Sequence, residues 1–375
     1  MPEKKEMMRT LALVLLAAAT LLAESPADHF RLNQIQVLGS HNSYKQAIDP
    51  SLMKLLRKED PKRYEGLEYS HLPMNEQLDL GMRKLEIDVV HDPEGGLYAK
   101  PLGLRLVEEA GLSAGPAYDP EGEMNKPGLK VLHVPDIDFR SHAYTFRDAL
   151  RQVRVWSDAH PRHLPIVIMM NAKDSGINLE GAVQPLPFDA AALDAWDAEI
   201  REILPPEKLL TPDDVRGKFP TLEAAVLAHR WPTLGRSRGR FLFVLDETGV
   251  KLETYVEGHP SLRGRVMFVN ATEGRPEAAF RIVNDPVDSF HYIQKLVRAG
   301  YLVRTRADAD TREARKRDYT PMQAAFDSGA QFVSTDYYRP NPDFGTGYEV
   351  KLPGGRPGRW NPLLAPPVKD LPAPE

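Results

Sequence analysis

Eight short apolar, β-branched runs recur along the chain, and each one ends in polar residues. The first four are Gln34–Leu38 before SHNSY, Arg83–Val89 around LEIDV, Leu129–Val134 in LKVLHV and Pro165–Met170 before NAKD. The others are Arg240–Leu245 before DET, Val266–Val269 before NAT, Tyr301–Val303 before RTRAD and Gln331–Val333 before STDYY. Between several of them the apolar spacing turns helical. Phe146, Ala149, Leu150, Val153 and Trp156 share one helical face, Ala190–Leu204 predicts a second helix, and Thr221 stands in N-cap position before LEAAVLAH. Phe290, Ile293 and Val297, closed by Gly300, mark a further helix, and Met322–Phe326 with Gly329 the last. Strands alternating with helices predict a parallel sheet, and eight of them predict closure into a (β/α)8 TIM-type barrel. An open doubly wound sheet is the competing arrangement, but no GxGxxG loop supports it.

Two connections are too long for the ideal repeat. His91–Gly128 is rich in Gly and Pro and predicts an active-site loop rather than a helix, whereas Ser175–Gly239 predicts extra helices. From Leu352 onward the chain is dense in Pro and Gly and reads as an irregular wrap or frayed terminus. No internal repeat or second-domain linker interrupts the pattern. The expected organisation is therefore a single catalytic barrel over residues 29–352 and a Pro-rich tail over 353–375.

The amino terminus has a different character. Lys4, Lys5 and Arg9 precede an apolar run from Leu11 to Leu22, with small residues at Ala23 and Ala27. A basic segment, a short apolar segment and small residues near a cut describe a secretory signal over residues 1–23. The run falls short of the roughly 20 residues a membrane span needs. The expected location is secreted or periplasmic. The absence of cysteine excludes a disulfide framework, a thiolate metal site, a cysteine nucleophile and a lipid-anchored cysteine. A net charge of −5 argues against a nucleic-acid partner, and the expected state is a monomer.

In a barrel of this kind reactive residues gather at the carboxyl ends of the strands. Glu86 and Asp88 sit two apart on one strand, so both side chains point the same way. Two carboxylates on one face repel unless they share a cation or proton. With Asn42 from the neighbouring strand they form an all-oxygen cluster suited to a hard cation such as Ca2+. The alternative is a carboxylate pair bridged to Arg83, Lys84 or Arg306. His41 and His133, at the ends of strands separated by one, are placed to flank a phosphodiester, one taking a proton and the other supplying charge or a proton opposite. Arg304 and Arg306 share a face and suit phosphate oxygens, or equally a structural pairing with Glu86, Asp88 or Asp336. Lys173 is a second candidate phosphate contact. Asp336 ends the last strand, beside the first, and could orient His41; Asp246 is its rival. The basic stretch Arg312–Arg317 reads as a solvated helix face.

HN at His41–Asn42, ExD at Glu86–Asp88 and H at His133 resemble the catalytic barrel of phosphoinositide-specific phospholipase C. GSHNSY, KLEIDV, GLKVLHVPDIDFRS, WSDAHPRHLPIVI, LVRTRADAD and SGAQFVSTDYY are similar to the bacterial, secreted, calcium-dependent branch of that superfamily, from about Gln34 to Tyr338. The resemblance implies that Asn42, Glu86 and Asp88 bind Ca2+, that His41 starts the attack and that His133 stabilises the transition state. It departs at Asn171, where eukaryotic relatives carry a carboxylate ligand; an amide oxygen can still ligate calcium, with one negative charge fewer. The implied substrate is a phosphatidylinositol-type lipid at a membrane surface, cleaved to diacylglycerol and a cyclic or open inositol phosphate. Two rival readings are a glycerophosphodiester phosphodiesterase or sphingomyelinase D-like lipase on a similar barrel, and a catalytically silent barrel that binds head groups.

Overall fold

The computed structural model describes residues 25–365 and 373–375; the secretory-signal segment lies outside them. Among the described residues nine strands form one sheet: β1 (Ile35–Ser40), β2 (Lys84–Val89), β3 (Ile166–Ala172), β4 (Phe241–Leu245), β5 (Met267–Val269), β6 (Phe280–Ile282), β7 (Leu302–Arg306), β8 (Phe332–Thr335) and β9 (Gly358–Trp360). The pairing runs β5-β4-β3-β2-β1-β8-β7-β6. All of these neighbours are parallel, and an isolated parallel bridge between Asn270 and Phe280 joins the two ends. The result is a nearly closed eight-stranded (β/α)8 barrel.

Most barrel strands are buried along their length because both faces are covered, one by the barrel interior and one by helices. The helix Phe146–Ala159 shows how the outer layer attaches. Thr145 caps it by accepting from the Asp148 N–H, and Phe146, Ala149, Leu150, Val153 and Trp156 form its buried face. Each large apolar side chain removed from water in this way contributes about 1.5–3 kcal/mol. Ala190–Ile203, the Thr221-capped Leu222–Leu227 and Phe290–Ala299, ended by Gly300 in the left-handed region, follow the expected pattern.

Seven of the eight expected strands lie in the barrel, and one does not. Leu129–Val134 is not a barrel strand. Val90 and Lys130 exchange backbone hydrogen bonds of 2.9 and 3.0 Å in an antiparallel bridge, so this segment folds back past the end of β2. An antiparallel return cannot enter a parallel barrel, and β2 pairs directly with β3, from Lys84↔Val167 to Val89↔Ala172. The missing stave is supplied by β6, a three-residue FRI run too short to stand out by periodicity. The His91–Gly128 connection also contains a helix, Leu102–Glu109, that its composition concealed. The C-terminal segment is not wholly irregular: β9 pairs antiparallel with β1 through Ile35↔Trp360 and Val37↔Gly358. Glu375 then binds Arg83 through a contact of 2.5 Å.

β1 and β2 approach unusually closely. Gly39 pairs with Lys84, and a Cβ on Gly39 would lie 2.2 Å from the Lys84 carbonyl oxygen. Only glycine permits that contact, which sets the turn after β1 against β2.

Candidate active site

The turn that leaves β1 is locked to β2. The Ser43 N–H donates to the Glu86 carbonyl at 2.8 Å, and the Glu86 N–H donates to Ser43 Oγ at 2.8 Å. Asn42 sits in the left-handed region at φ 46, a conformation asparagine tolerates better than most residues. Its amide Nδ2 donates to Tyr69 Oη at 2.7 Å, which leaves its oxygen uncommitted. Glu86 and Asp88 are both buried on β2.

His41 follows β1, and its Nδ1 lies 3.1 Å from Asp336 Oδ1. Asp246, the rival carboxylate, instead accepts from Asn270 Nδ2 at 3.3 Å; burial pushes it up to about 6. With Nδ1–H donated to Asp336, the His41 lone pair stays on Nε2, 3.6 Å from Glu86 Oε1. Burial and the Arg306 guanidinium push the His41 imidazole below its usual range, against the pull of Asp336 and Glu86. It is therefore neutral at neutral pH and able to accept a proton. Arg306 Nη2 stands 3.2 Å from His41 Nδ1 and 4.0 Å from Asp336 Oδ2. Despite burial, the charge and hydrogen bond of His41, joined by His71, hold Asp336 well below the usual carboxylate range.

His133 lies in the long connection after β2 rather than at the end of a strand of its own, but it carries the same device. Its Nδ1 is 2.7 Å from Asp138 Oδ2. Asp138 Oδ1 in turn lies 3.3 Å from Lys45 Nζ, and that ammonium sits 4.5 Å over the Tyr69 ring. Tyr69 stacks on His41 with centroids 6.1 Å apart. Burial pushes the Tyr69 hydroxyl well up, and the fields of Asp336 and Asp138 both add to it. Tyr69 thus links the two His–Asp pairs, stacking on His41 and meeting the Lys45 ammonium that pairs with Asp138.

Every carboxylate of the ExD pair also meets cations. Glu86 Oε2 accepts from Arg304 Nη2 at 2.8 Å and from Lys84; against burial, these two hold Glu86 well below the usual carboxylate range. Asp88 Oδ2 is 3.0 Å from Lys173 Nζ, and Asp88 Oδ1 accepts from Asn171 Nδ2 at 3.0 Å. Among the described residues no group of three or more His, Cys, Asp or Glu side chains converges as a metal site. The donors available here are two carboxylates and two amides. Asp88 Oδ2 is buried without a hydrogen-bond partner, and the free oxygens of Asn42, Glu86 and Asn171 accept none from the described residues. Three oxygens that accept no hydrogen bond, a fourth in Asp88 Oδ2 paired only with the Lys173 ammonium, and no softer donor suit a hard cation such as Ca2+.

The ten residues singled out by sequence occupy different positions. Asp336 and Arg306 meet at His41, and Asn171 and Lys173 meet at Asp88. Arg304 lies deeper: it is 1% exposed, its Nε donates to Ser334 Oγ at 2.9 Å, and its two terminal nitrogens serve Glu86 and Asn284. Sequence reasoning gives no role to Asp138, a carboxylate five residues after His133, and overlooks two participants. Tyr69 and His71 lie on a loop without any periodic signal. His71 is buried with both ring nitrogens lacking a hydrogen bond, and its Nε2 lies 3.5 Å from Asp336 Oδ1. Arg315, from the basic stretch, binds Glu65 at 3.1 Å and Glu68 at 2.7 Å.

A family model described as "Phosphoinositide phospholipase C, Ca2+-dependent" matches residues 30–362. Among solved structures, the calcium-dependent phosphoinositol-specific phospholipase C from the Gram-negative bacterium Pseudomonas sp, in a myoinositol complex, is similar at a TM-score of 0.54. The two share 16% identity, over 90% of this chain and 100% of that one. Its second apo crystal form gives 0.54 and 17% over 90% and 98%. At such identities the likeness establishes the barrel fold. A search of the curated proteins finds no match.

Proposed function

The chain belongs to the Ca2+-dependent phosphoinositide phospholipase C family, whose model spans residues 30–362, and from that premise we propose how its own residues perform the reaction. As a member it is a phosphoric diester hydrolase that cleaves phosphatidylinositol-type lipids to diacylglycerol and an inositol phosphate. The observation that supports this assignment of roles is a pair of His–Asp units, His41–Asp336 beside the Glu86 carboxylate and His133–Asp138 beside Lys45.

His41, held by Asp336 with its lone pair on Nε2, takes the proton from the inositol hydroxyl beside the phosphodiester. That oxygen forms a bond to phosphorus, the bond to the diacylglycerol oxygen breaks, and the departing oxygen takes a proton from His133 on the opposite side of the phosphate. His133, fixed by Asp138, faces the phosphate from the other side and stabilises its developing charge. Arg306, whose Nε is buried without a partner, is the guanidinium available to a phosphate oxygen. Arg304 holds Glu86 in place. The product is a cyclic inositol phosphate, which water opens by the same two histidines working in reverse.

Asn42, Glu86, Asp88 and Asn171 would hold Ca2+, which when bound lowers the pKa of the substrate hydroxyl and offsets negative charge on the phosphate. The substrate sits at a membrane surface. Exposed aliphatic side chains support that reading: Leu97, Leu179, Leu186, Val250 and Val287 all lie on connections that leave the carboxyl ends of strands. Among the described residues no helix is long and apolar enough to cross a membrane. The basic, apolar amino-terminal segment supports delivery outside the cytoplasm.

The deciding experiment measures products from phosphatidylinositol vesicles with Ca2+, with Mg2+ and with EGTA. Diacylglycerol should form with Ca2+, much less with Mg2+, whose octahedral demand fits a loose site poorly, and none should form in chelator. Asp88→Asn should raise the Ca2+ concentration required. Glycerol phosphate or ceramide phosphate as the product would replace this reading with that of a phosphodiesterase of another specificity.

A further inference from the structure

Lys173 occupies the place where a metal ligand should be free. Its ammonium stands 3.0 Å from Asp88 Oδ2, one of the four oxygens that suit the cation. A charge count shows the consequence. Glu86 and Asp88 contribute two negative charges, and three cations face them, Arg304 and Lys84 on Glu86 and Lys173 on Asp88. Asn171 adds none. A divalent cation arriving alone meets a carboxylate pair that is already compensated.

The cation on Asp88 differs in freedom from the two on Glu86, of which Lys84 is fully buried. Arg304 is buried and bonded at Nε and at both terminal nitrogens. Lys173 has its backbone N–H fixed on the Val89 carbonyl at 2.8 Å, but its side chain is 36% exposed. A lysine is a point charge on a flexible stem, able to change partners without a change in backbone. Resting on the assignment of the ExD cluster to calcium, we propose that Lys173 is a resident counter-cation of Asp88 that Ca2+ displaces onto the substrate phosphate. Calcium and the phosphodiester then bind as a linked pair: each is held weakly alone, and each removes the charge that opposes the other. The purpose is economy of a loose site, which stays compensated between turnovers and becomes a strong cation site only with an anion present.

The test is calorimetric and needs no turnover. Ca2+ binding is measured for the wild-type chain, Lys173→Met and Lys173→Arg, each with and without inositol 1-phosphate, and melting temperatures confirm that all three are folded. In the wild type, inositol 1-phosphate should tighten Ca2+ binding, and Ca2+ should tighten inositol 1-phosphate binding by the same factor, as linkage demands. Lys173→Met should bind Ca2+ alone about tenfold more tightly than the wild type, within the usual range of coupling between sites, and should lose most of the linkage. Lys173→Arg should keep weak Ca2+ binding. Equal Ca2+ affinity in Lys173→Met and wild type would overturn the counter-cation. An absence of Ca2+ binding in all three proteins, with and without the phosphate, would overturn the metal assignment and this proposal with it.

Discussion

Asp336 Oδ1 meets His41 Nδ1 at 3.1 Å across 295 positions of chain. The contact sets the tautomer of the imidazole, because a carboxylate can only accept. Asp336→Asn can present an N–H to Nδ1 and turn the lone pair away from the reacting side. We expect kcat to fall by about 10²–10⁴-fold, the scale for losing acid–base assistance and for a wrong tautomer, with Ca2+ binding unchanged. Steady-state rates on phosphatidylinositol vesicles check this, and a near-normal kcat would assign Asp336 to the scaffold.

His71 approaches the same carboxylate at 3.5 Å and stacks on Tyr338 with centroids 5.5 Å apart. A positioning role through Asp336 predicts an effect that separates from packing. His71→Gln keeps a donor near the same point, whereas His71→Phe keeps only the packing. The expected result is lower kcat at unchanged KM for His71→Phe, with substantial recovery in His71→Gln. If both variants lose stability and neither loses kcat, the residue is only a packing element.

The two arginines of β7 should separate. Arg304→Lys removes a buried fork shared among Glu86, Ser334 and Asn284. Each buried acceptor left unsatisfied costs about 1–3 kcal/mol, so its melting temperature should drop. Arg306→Lys keeps the charge and loses the planar fork, and should reduce activity on lipid at nearly unchanged melting temperature. Thermal denaturation beside specific activity distinguishes them, and a reversed pattern would exchange their roles.

Asp308 supplies a pH signature. Burial, with the Asp336 charge beside it, pushes its carboxyl up to about 7 from 3.8. The folded state therefore holds this proton more tightly than the unfolded one. The stability it contributes is full below about pH 4 and is lost as pH rises through about 7. Asp336, depressed instead, has the opposite sense: its contribution is present above about pH 4 and is lost only in stronger acid. Asp308→Asn keeps an oxygen for the Asp336 N–H, which now donates at 2.8 Å, and an amide for Thr335. It should melt higher than the wild type at pH 8 and nearly equally at pH 5. An unchanged difference between those two pH values would show that Asp308 is ionised throughout.

Much of the barrel is legible in the chain because most strands are long enough to bury a continuous apolar run. β2 and β3 announce themselves in KLEIDV and IVIMMNA. β6 does not, since three residues carry no period. Leu129–Val134 has the composition of a strand but is held by an antiparallel bridge to Val90; composition reports burial and says nothing of direction. The site shows the same division. His41, Asn42, Glu86 and Asp88 are recognisable by position at strand ends, whereas Tyr69 and His71 come from a connection whose path no local pattern encodes.

The sequence by itself determined the class of fold and the parity of the site: alternation along a strand obliges Glu86 and Asp88 to share a face, and Arg304 and Arg306 to share another. Which partner each of these side chains meets was decided only by the tertiary structure. Asp336 rather than Asp246 serves His41 because β8 is the neighbour of β1 and β4 is not. Glu86 receives Arg304 across 218 positions of chain, and Asp88 receives Lys173. Pairings of this kind depend on barrel closure, strand register and the course of the loops. These are set by the packing of the whole chain, and a short-range pattern of residues cannot contain them.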